Sequence, residues 1–104
     1  MNYTKGEWQI HPNFYKFIAV RQDGLFRTIA MVENTPPDDE EAKANAHLIA
    51  AAPLMCGQLQ TGIKALGEAL QSLGNGQVSE AKDYIKGVIA GNEMALIKAE
   101  GREE

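Results

Sequence analysis

Hydrophobic and polar positions change period along this chain, and the change predicts its architecture. Between Trp8 and Glu33 the sequence is rich in aromatic and β-branched residues arranged in short stretches, the signature of strands. Trp8 and Ile10 alternate with polar neighbours and predict a short strand that ends at His11 and Pro12, because proline cannot donate to a ladder. Phe14 to Gln22 and Leu25 to Glu33 predict two more strands, joined by Asp23-Gly24, a pair suited to the positive φ angles of a type I′ turn. Folding on that turn pairs Gln22 with Leu25, Val20 with Arg27, Ile18 with Ile29 and Lys16 with Met31. One face then carries Ile18, Val20, Leu25, Ile29 and Met31. The other carries Tyr15, Phe17, Ala19, Phe26, Ala30 and Val32, interrupted only by Arg21 and Thr28. A sheet with one wet face shows polar alternation on that side, so two apolar faces predict two covers: the protein's own helices and a second copy.

From Thr35 the period becomes helical. Thr35 suits an N-cap, Pro36 the first helical position, and Asp38, Asp39, Glu40 and Glu41 place four carboxylates at the positive end of the helix dipole. Ala42, Ala46, Ile49 and Ala52 share a face that Leu48 widens, and Pro53 stops or kinks the helix at Ala51 or Ala52. Beyond Pro53, Leu59, Ile63, Leu66, Leu70 and Leu73 recur at spacings of 4, 3, 4 and 3, which predicts the seam of a helix packed on another helix. Gly74-Asn75-Gly76 ends that helix, with Gly74 suited to the left-handed C′ position. A third helix follows, with Val78, Ala81, Ile85, Val88, Ile89, Ala95, Leu96 and Ala99 on a broad apolar face. So short a connection makes the last two helices an antiparallel hairpin.

The fold class is therefore α+β: an N-terminal antiparallel meander of about three strands followed by three helices. The expected organisation is one domain over 1–104, with the meander at 6–33, the first helix at 35–52, the hairpin at 53–73 and 77–99, and a frayed tail at 100–104. Gly57, Gly62, Gly67, Gly87 and Gly91 all fall inside the helical patterns, each costing about 1 kcal/mol relative to alanine. Either close packing uses the missing side chains or these helices are bent and partly mobile.

Composition narrows the function classes. At a formal charge of −4 over 104 residues, with its basic residues scattered, the chain lacks the cationic cluster that phosphate backbones require, so nucleic acid is not an expected partner. One cysteine excludes an internal disulfide, and no run of 18 apolar residues offers a membrane span. A soluble protein of a reducing cytoplasm is the expectation.

Candidate chemistry is sparse. His11, His47 and Cys56 do not fall at metal-ligand spacings, and no base accompanies the cysteine, so packing roles are expected for all three and no catalytic residue, metal or cofactor is assigned. The acidic run from Asp38 to Glu41 reads as a dipole-matched helix start and not as a cation loop. Tyr15, Phe17, Arg21, Phe26 and Arg27 could gather on the hairpin and hold an anionic or aromatic ligand, which makes them the candidate ligand or partner surface. Phe17, Ala30, Val32, Leu66, Leu70, Ile85 and Ile89 are the candidate oligomer interface, a dimer being the simplest assembly.

The segment EAKANAHLIAAAPLM, with Leu59 after it, resembles a block found in small proteins of tailed bacteriophages and prophages, approximately E-A-x-A-N-A-x-L-I-A-A-A-P-E-L-L-x-A-L. Gly6, Trp8, Ile29, Ala30 and Val32 fit the strand-rich layout that precedes it in those proteins. The resemblance covers about residues 6–66 and departs at Leu54, where glutamate is usual, and at Gly57, where a helix former is usual. It implies a phage origin and carries no activity with it. Three functions remain in view. The first is a non-enzymatic accessory protein that binds a host or defence component or a small signalling ligand. The second is a structural protein that oligomerises through its helices, and the third a small enzyme of unknown reaction.

Overall fold

The structure, a computed structural model, describes residues 2–14, 16–33 and 39–102. In order these form β1 (Trp8–Ile10), β2 (Phe17–Gln22), β3 (Leu25–Met31), α1 (Asp39–Ala50), α2 (Ala52–Gly74) and α3 (Val78–Ala99). The class is α+β, with an antiparallel sheet ahead of three helices, the last two packed together. By contacts the chain divides into two compact units, Met1–Pro53 with Ile97–Glu104, and Leu54–Leu96.

In the first unit the strands lie in the order β1-β2-β3. Asp23 (φ 52°) and Gly24 (φ 80°) both take positive φ, so the β2–β3 turn has the geometry that this dipeptide favours. Next to the turn the register follows the sequence, with Gln22 opposite Leu25 and Val20 opposite Arg27. Further along it does not. Ala19 pairs with Thr28 but Ile18 pairs with Ala30, so Ile29 is an extra, unpaired residue and β3 is bulged there. Because side chains alternate with period two, one extra residue exchanges the faces of everything beyond it.

The bulge corrects the expected pairing of Ile18 with Ile29 and of Lys16 with Met31. Ala30 and Val32 turn to the inner face, where Val32 joins Ile18 and the α1 alanines Ala42, Ala46 and Ala50 in the core, and Ala30 packs against it with Trp8 and Ile10. Met31 turns outward, opposite Phe17. Ala30 and Val32 therefore belong to the protein's own core and not to an outer oligomer face. The alanines let α1 lie close to β1 and β2, as its small-residue face predicts. Gly6, at φ +114°, lies close against Val20, whose Cγ2 an added Cβ would meet at 2.7 Å. The proposed cap of α1 at Thr35, Pro36 and Asp38 lies outside the described residues.

α1 ends where Pro53 requires: Ala51 is a turn residue whose N–H donates to the His47 carbonyl, and α2 starts at Ala52. At the far end of α3, the Gly101 N–H donates to Lys98 O and the Arg102 N–H to Ile97 O, with Gly101 at φ +71°. This paired closure satisfies carbonyls that the helix end leaves open. Gly101 also lies against the His47 ring, so close that an added Cβ would come within 2.6 Å of it.

The second unit is the helical hairpin. α2 closes in the same way, with Gly76 N–H to Leu73 O and Gln77 N–H to Ser72 O, and the left-handed residue is Gly76 (φ +76°) instead of the expected Gly74. The helices meet along small residues. Gly62, Ala69 and Ser72 of α2 and Ala81 and Ala95 of α3 are the buried positions of this unit. Gly62 faces Val88, where a Cβ would find Cγ1 at 3.6 Å, and Gly91 lies against the Gln58 amide. Two of the five glycines thus serve close packing. Gly57, Gly67 and Gly87 face nothing within 4 Å.

Candidate binding surfaces

The sheet presents its outer face, away from α1, with an aromatic cluster. Successive turns, Phe14 N–H to His11 O and Phe17 N–H to Phe14 O, stack residues 11, 14 and 17, since i to i+3 bonds bring side chains three apart together. The His11 and Phe14 rings lie 5.1 Å apart, and Phe14 meets Phe17 edge-on at 5.9 Å. His11 also reaches the Phe26 ring at 4.8 Å, and Ala19, which the register places between them on that face, is wholly buried. Arg21, opposite Phe26 in the ladder, holds its guanidinium 5.6 Å from that ring, within cation–π range. A shallow depression of about 280 Å³ beside the cluster is lined by Asn13, Phe14, Lys16 and Phe17.

Of the surface expected from the sequence, Phe17, Arg21 and Phe26 do share this face. Arg27 does not: it follows Phe26 in the strand and pairs with Val20, so alternation puts it on the opposite side. Tyr15 lies outside the described residues. His11 and Phe14 belong to the cluster and were missing from the expected surface. The spacing of three from His11 to Phe14 and again from Phe14 to Phe17 is the available signal, readable once His11-Pro12-Asn13 is taken as a turn instead of a strand end.

A smaller cleft, about 150 Å³, is lined by Gln9, Ile10, His47, Ala50, Lys98 and Gly101. Lys98, mostly buried, is ion-paired with Glu7 at 3.8 Å. At that volume the cleft is below the size of a small-molecule site. It is where Lys98 and Gly101 meet α1 and β1. Among the described residues no three His, Cys, Asp or Glu side chains converge on a point that could hold a metal ion. Cys56 is half-buried on α2.

The second surface is on the hairpin, and it reverses an expectation. Leu59, Ile63, Leu66, Leu70 and Leu73 do not face α3; they are 48–73% exposed. Each follows by one residue a position of the small-residue seam (Gln58, Gly62, Ala65, Ala69, Ser72), and one residue is about 100° around a helix. In α3, Val78, Ile85, Ile89 and Leu96 are exposed as well, and the last three follow Tyr84, Val88 and Ala95 in the same manner. For two antiparallel helices that face each other, this common rotation carries both rows to one side. The register set by Gly62 with Val88 puts Ile63 level with Ile89, Leu66 with Ile85 and Leu73 with Val78. Among the exposed large apolar residues of this unit only Met94, which precedes Ala95, falls on the other side.

That other side is polar. It carries Thr61, Lys64, Glu68, Glu80 and Asp83, and the Glu68 carboxylate holds the Tyr84 phenol above its ordinary pKa, first by charge and then by hydrogen bonding. Leu66, Leu70, Ile85 and Ile89 of the expected interface thus lie together on an open apolar face. Among the described residues no helix is long and apolar enough to cross a membrane.

No curated protein and no solved structure matches the chain. Its sequence does match a family description over residues 1–103, which extends the likeness to phage proteins through the C-terminal third. With nearly its whole length matched, the chain belongs to the family described as Salmonella phage P22 protein Y8K6.

Proposed function

We propose that the protein is a non-enzymatic phage accessory protein that acts by binding, and that it receives its partner on the outer face of the sheet. The observation that carries this reading is the cluster of His11, Phe14, Phe17 and Phe26 with Arg21 beside it. Partly exposed aromatic rings next to an arginine are the composition in which binding energy concentrates at interfaces. Lys16 and Arg21 give the patch a local positive sign on a chain of net charge −4, which favours a partner with carboxylate or phosphate groups around an apolar centre. A host or defence protein of that character, or a small anionic signalling ligand, fits. The protein acts in this reading in the cytoplasm of the bacterial host; His11 serves as an aromatic member of the patch and not as a catalytic or metal-binding group, and His47 and Cys56 serve packing.

Affinity capture from infected cells tests the reading. The wild-type chain is expected to recover one stoichiometric partner, and the exposed-site variant Phe14→Ala/Arg21→Glu to lose it while its circular dichroism stays unchanged. Equal recovery by both removes the patch from the mechanism. A second reading, an assembly role through the helices, is favoured by one specific observation, the open apolar face of the hairpin.

A further inference from the structure

We infer that the apolar side of the α2/α3 hairpin is closed by the same side of a second copy, so that two hairpins form a four-helix bundle. The inference deepens the assembly reading and stands apart from the sheet patch.

Size comes first. At their recorded exposures the leucine and isoleucine rows leave on the order of 900 Å² uncovered per copy, above the ~300–600 Å² of a typical monomer's largest patch. It matches the ~800 Å² that each partner contributes to a standard stable interface.

The inside of the hairpin points the same way. Its seam is made of Gly62, Ala69, Ser72, Ala81 and Ala95, and no leucine, isoleucine or methionine of this unit is buried. A pair of helices joined by small side chains gains little apolar burial from itself, so its main apolar surface is the one left outside.

The pattern identifies the occupant. The α2 row keeps spacings of 4, 3, 4 and 3, and the α3 row keeps 7, 4 and 7, the repeat with which helices receive other helices. A second copy presents two helices with that repeat at the matching separation, and a twofold axis through the face satisfies both copies at once. The face carries few charges, Lys82 in the α3 row and Glu93 at its edge, and these are of opposite sign, so it does not select an acidic or basic partner. The hairpin as a whole carries three lysines and four carboxylates, a formal charge of −1 that sets up little repulsion between copies. Asn92 falls in the α3 row four residues before Leu96, a polar residue of the kind that fixes register in helical interfaces.

The test is the solution mass of the full chain by sedimentation equilibrium, with Leu66→Lys/Ile85→Lys as the variant at the centre of the face. The expected result is a mass of two chains for the wild type and of one for the variant. Should the lysine variant fail to fold, Leu66→Ala/Ile85→Ala keeps good helix formers at both positions and is expected to weaken dimerisation at least tenfold, while Lys64→Ala on the polar side leaves it unchanged. A wild-type mass of one chain at 100 micromolar, or of more than two, overturns the inference. So does a two-chain mass that the alanine pair does not weaken. The Phe14→Ala/Arg21→Glu variant is expected to remain a dimer, so loss of partner capture and loss of dimerisation report on different surfaces.

Discussion

The two units dispose of their large apolar residues in opposite ways. In the sheet unit Ile18 and Val20 are the largest fully buried side chains of the described residues, and alanines of α1 bring the helix down onto Ile18 and Val32. In the hairpin the small residues are inside and the leucines outside. Alanine serves both arrangements, as the means of close approach. What differs is the other side of the contact, a sheet bearing branched side chains in one case and a second helix of small residues in the other. The sheet unit, although Phe14, Leu25, Met31 and Leu48 are exposed, keeps branched residues in its interior; the hairpin keeps none there and leaves its leucine and isoleucine rows open.

Substitutions that separate the units by cost give the sharpest test of this contrast. Ile18→Ala is expected to destabilise the fold by about 2–5 kcal/mol in urea unfolding, because it opens a cavity in a core with no solvent access. Leu70→Ala, at an exposed site, is expected to change stability by no more than about 0.5 kcal/mol in dilute solution, where copies are apart. Equal costs for the two would break the comparison.

The glycines provide a smaller and more local version. Gly62→Leu forces a branched side chain into the seam against Val88 and is expected to cost about 1–3 kcal/mol. Gly67→Ala, where an added Cβ meets nothing within 4 Å, is expected to stabilise by about 0.5–1 kcal/mol through helix propensity alone. Thermal unfolding of the two variants reads opposite signs if the seam lies where the structure has it.

The smallest effect concerns Tyr84. Its pKa is raised in the folded chain from the ordinary 10.0, chiefly by the Glu68 charge, so the neutral phenol is the form that folding favours. That contribution is fully present below about pH 10 and is lost as pH rises through the raised value. In an NMR titration of the ring, Glu68→Gln is expected to bring the Tyr84 midpoint down. An unchanged midpoint would detach Tyr84 from α2 and with it the assigned register of the hairpin.

Much of this architecture is legible in the residues, and the failures have physical causes. Asp23-Gly24 names its turn because few other pairs accept two positive φ angles, and Pro53 names a helix break because it lacks an N–H. The bulge at Ile29 leaves no such mark. With apolar residues on both sides of β3, either register buries something, and Ile29, Ala30 and Met31 do not vote between them. The leucine row reads as the seam with α3 for a related reason: its 4 and 3 spacing is shared by the neighbouring stripe of Gln58, Gly62, Ala65, Ala69 and Ser72, which is the seam in the structure. Periodicity identifies a helix face that meets a helix but not which helix it meets. Gly76 takes the C′ place expected for Gly74 because α2 runs past the end of the leucine row, through Gly74, before closing. On the outer sheet face, Phe17, Arg21 and Phe26 were recoverable from pairing near the turn, whereas His11 and Phe14 entered through a turn of period three that a strand reading passes over.

The connectivity of the hairpin carries one more consequence. The chain leaves the first unit at Pro53 and returns to it at Ile97, and both crossings are made within helices, α2 and α3. The two legs share a seam repeat of seven residues, so a length change in one leg must be matched in the other, and in steps of seven, for small residues to keep facing small residues. Among descendants of this chain, insertions and deletions between residues 54 and 96 should therefore come as paired heptads placed about the Asn75-Gly76-Gln77 turn, leaving the sheet sequence free to diverge on its own schedule.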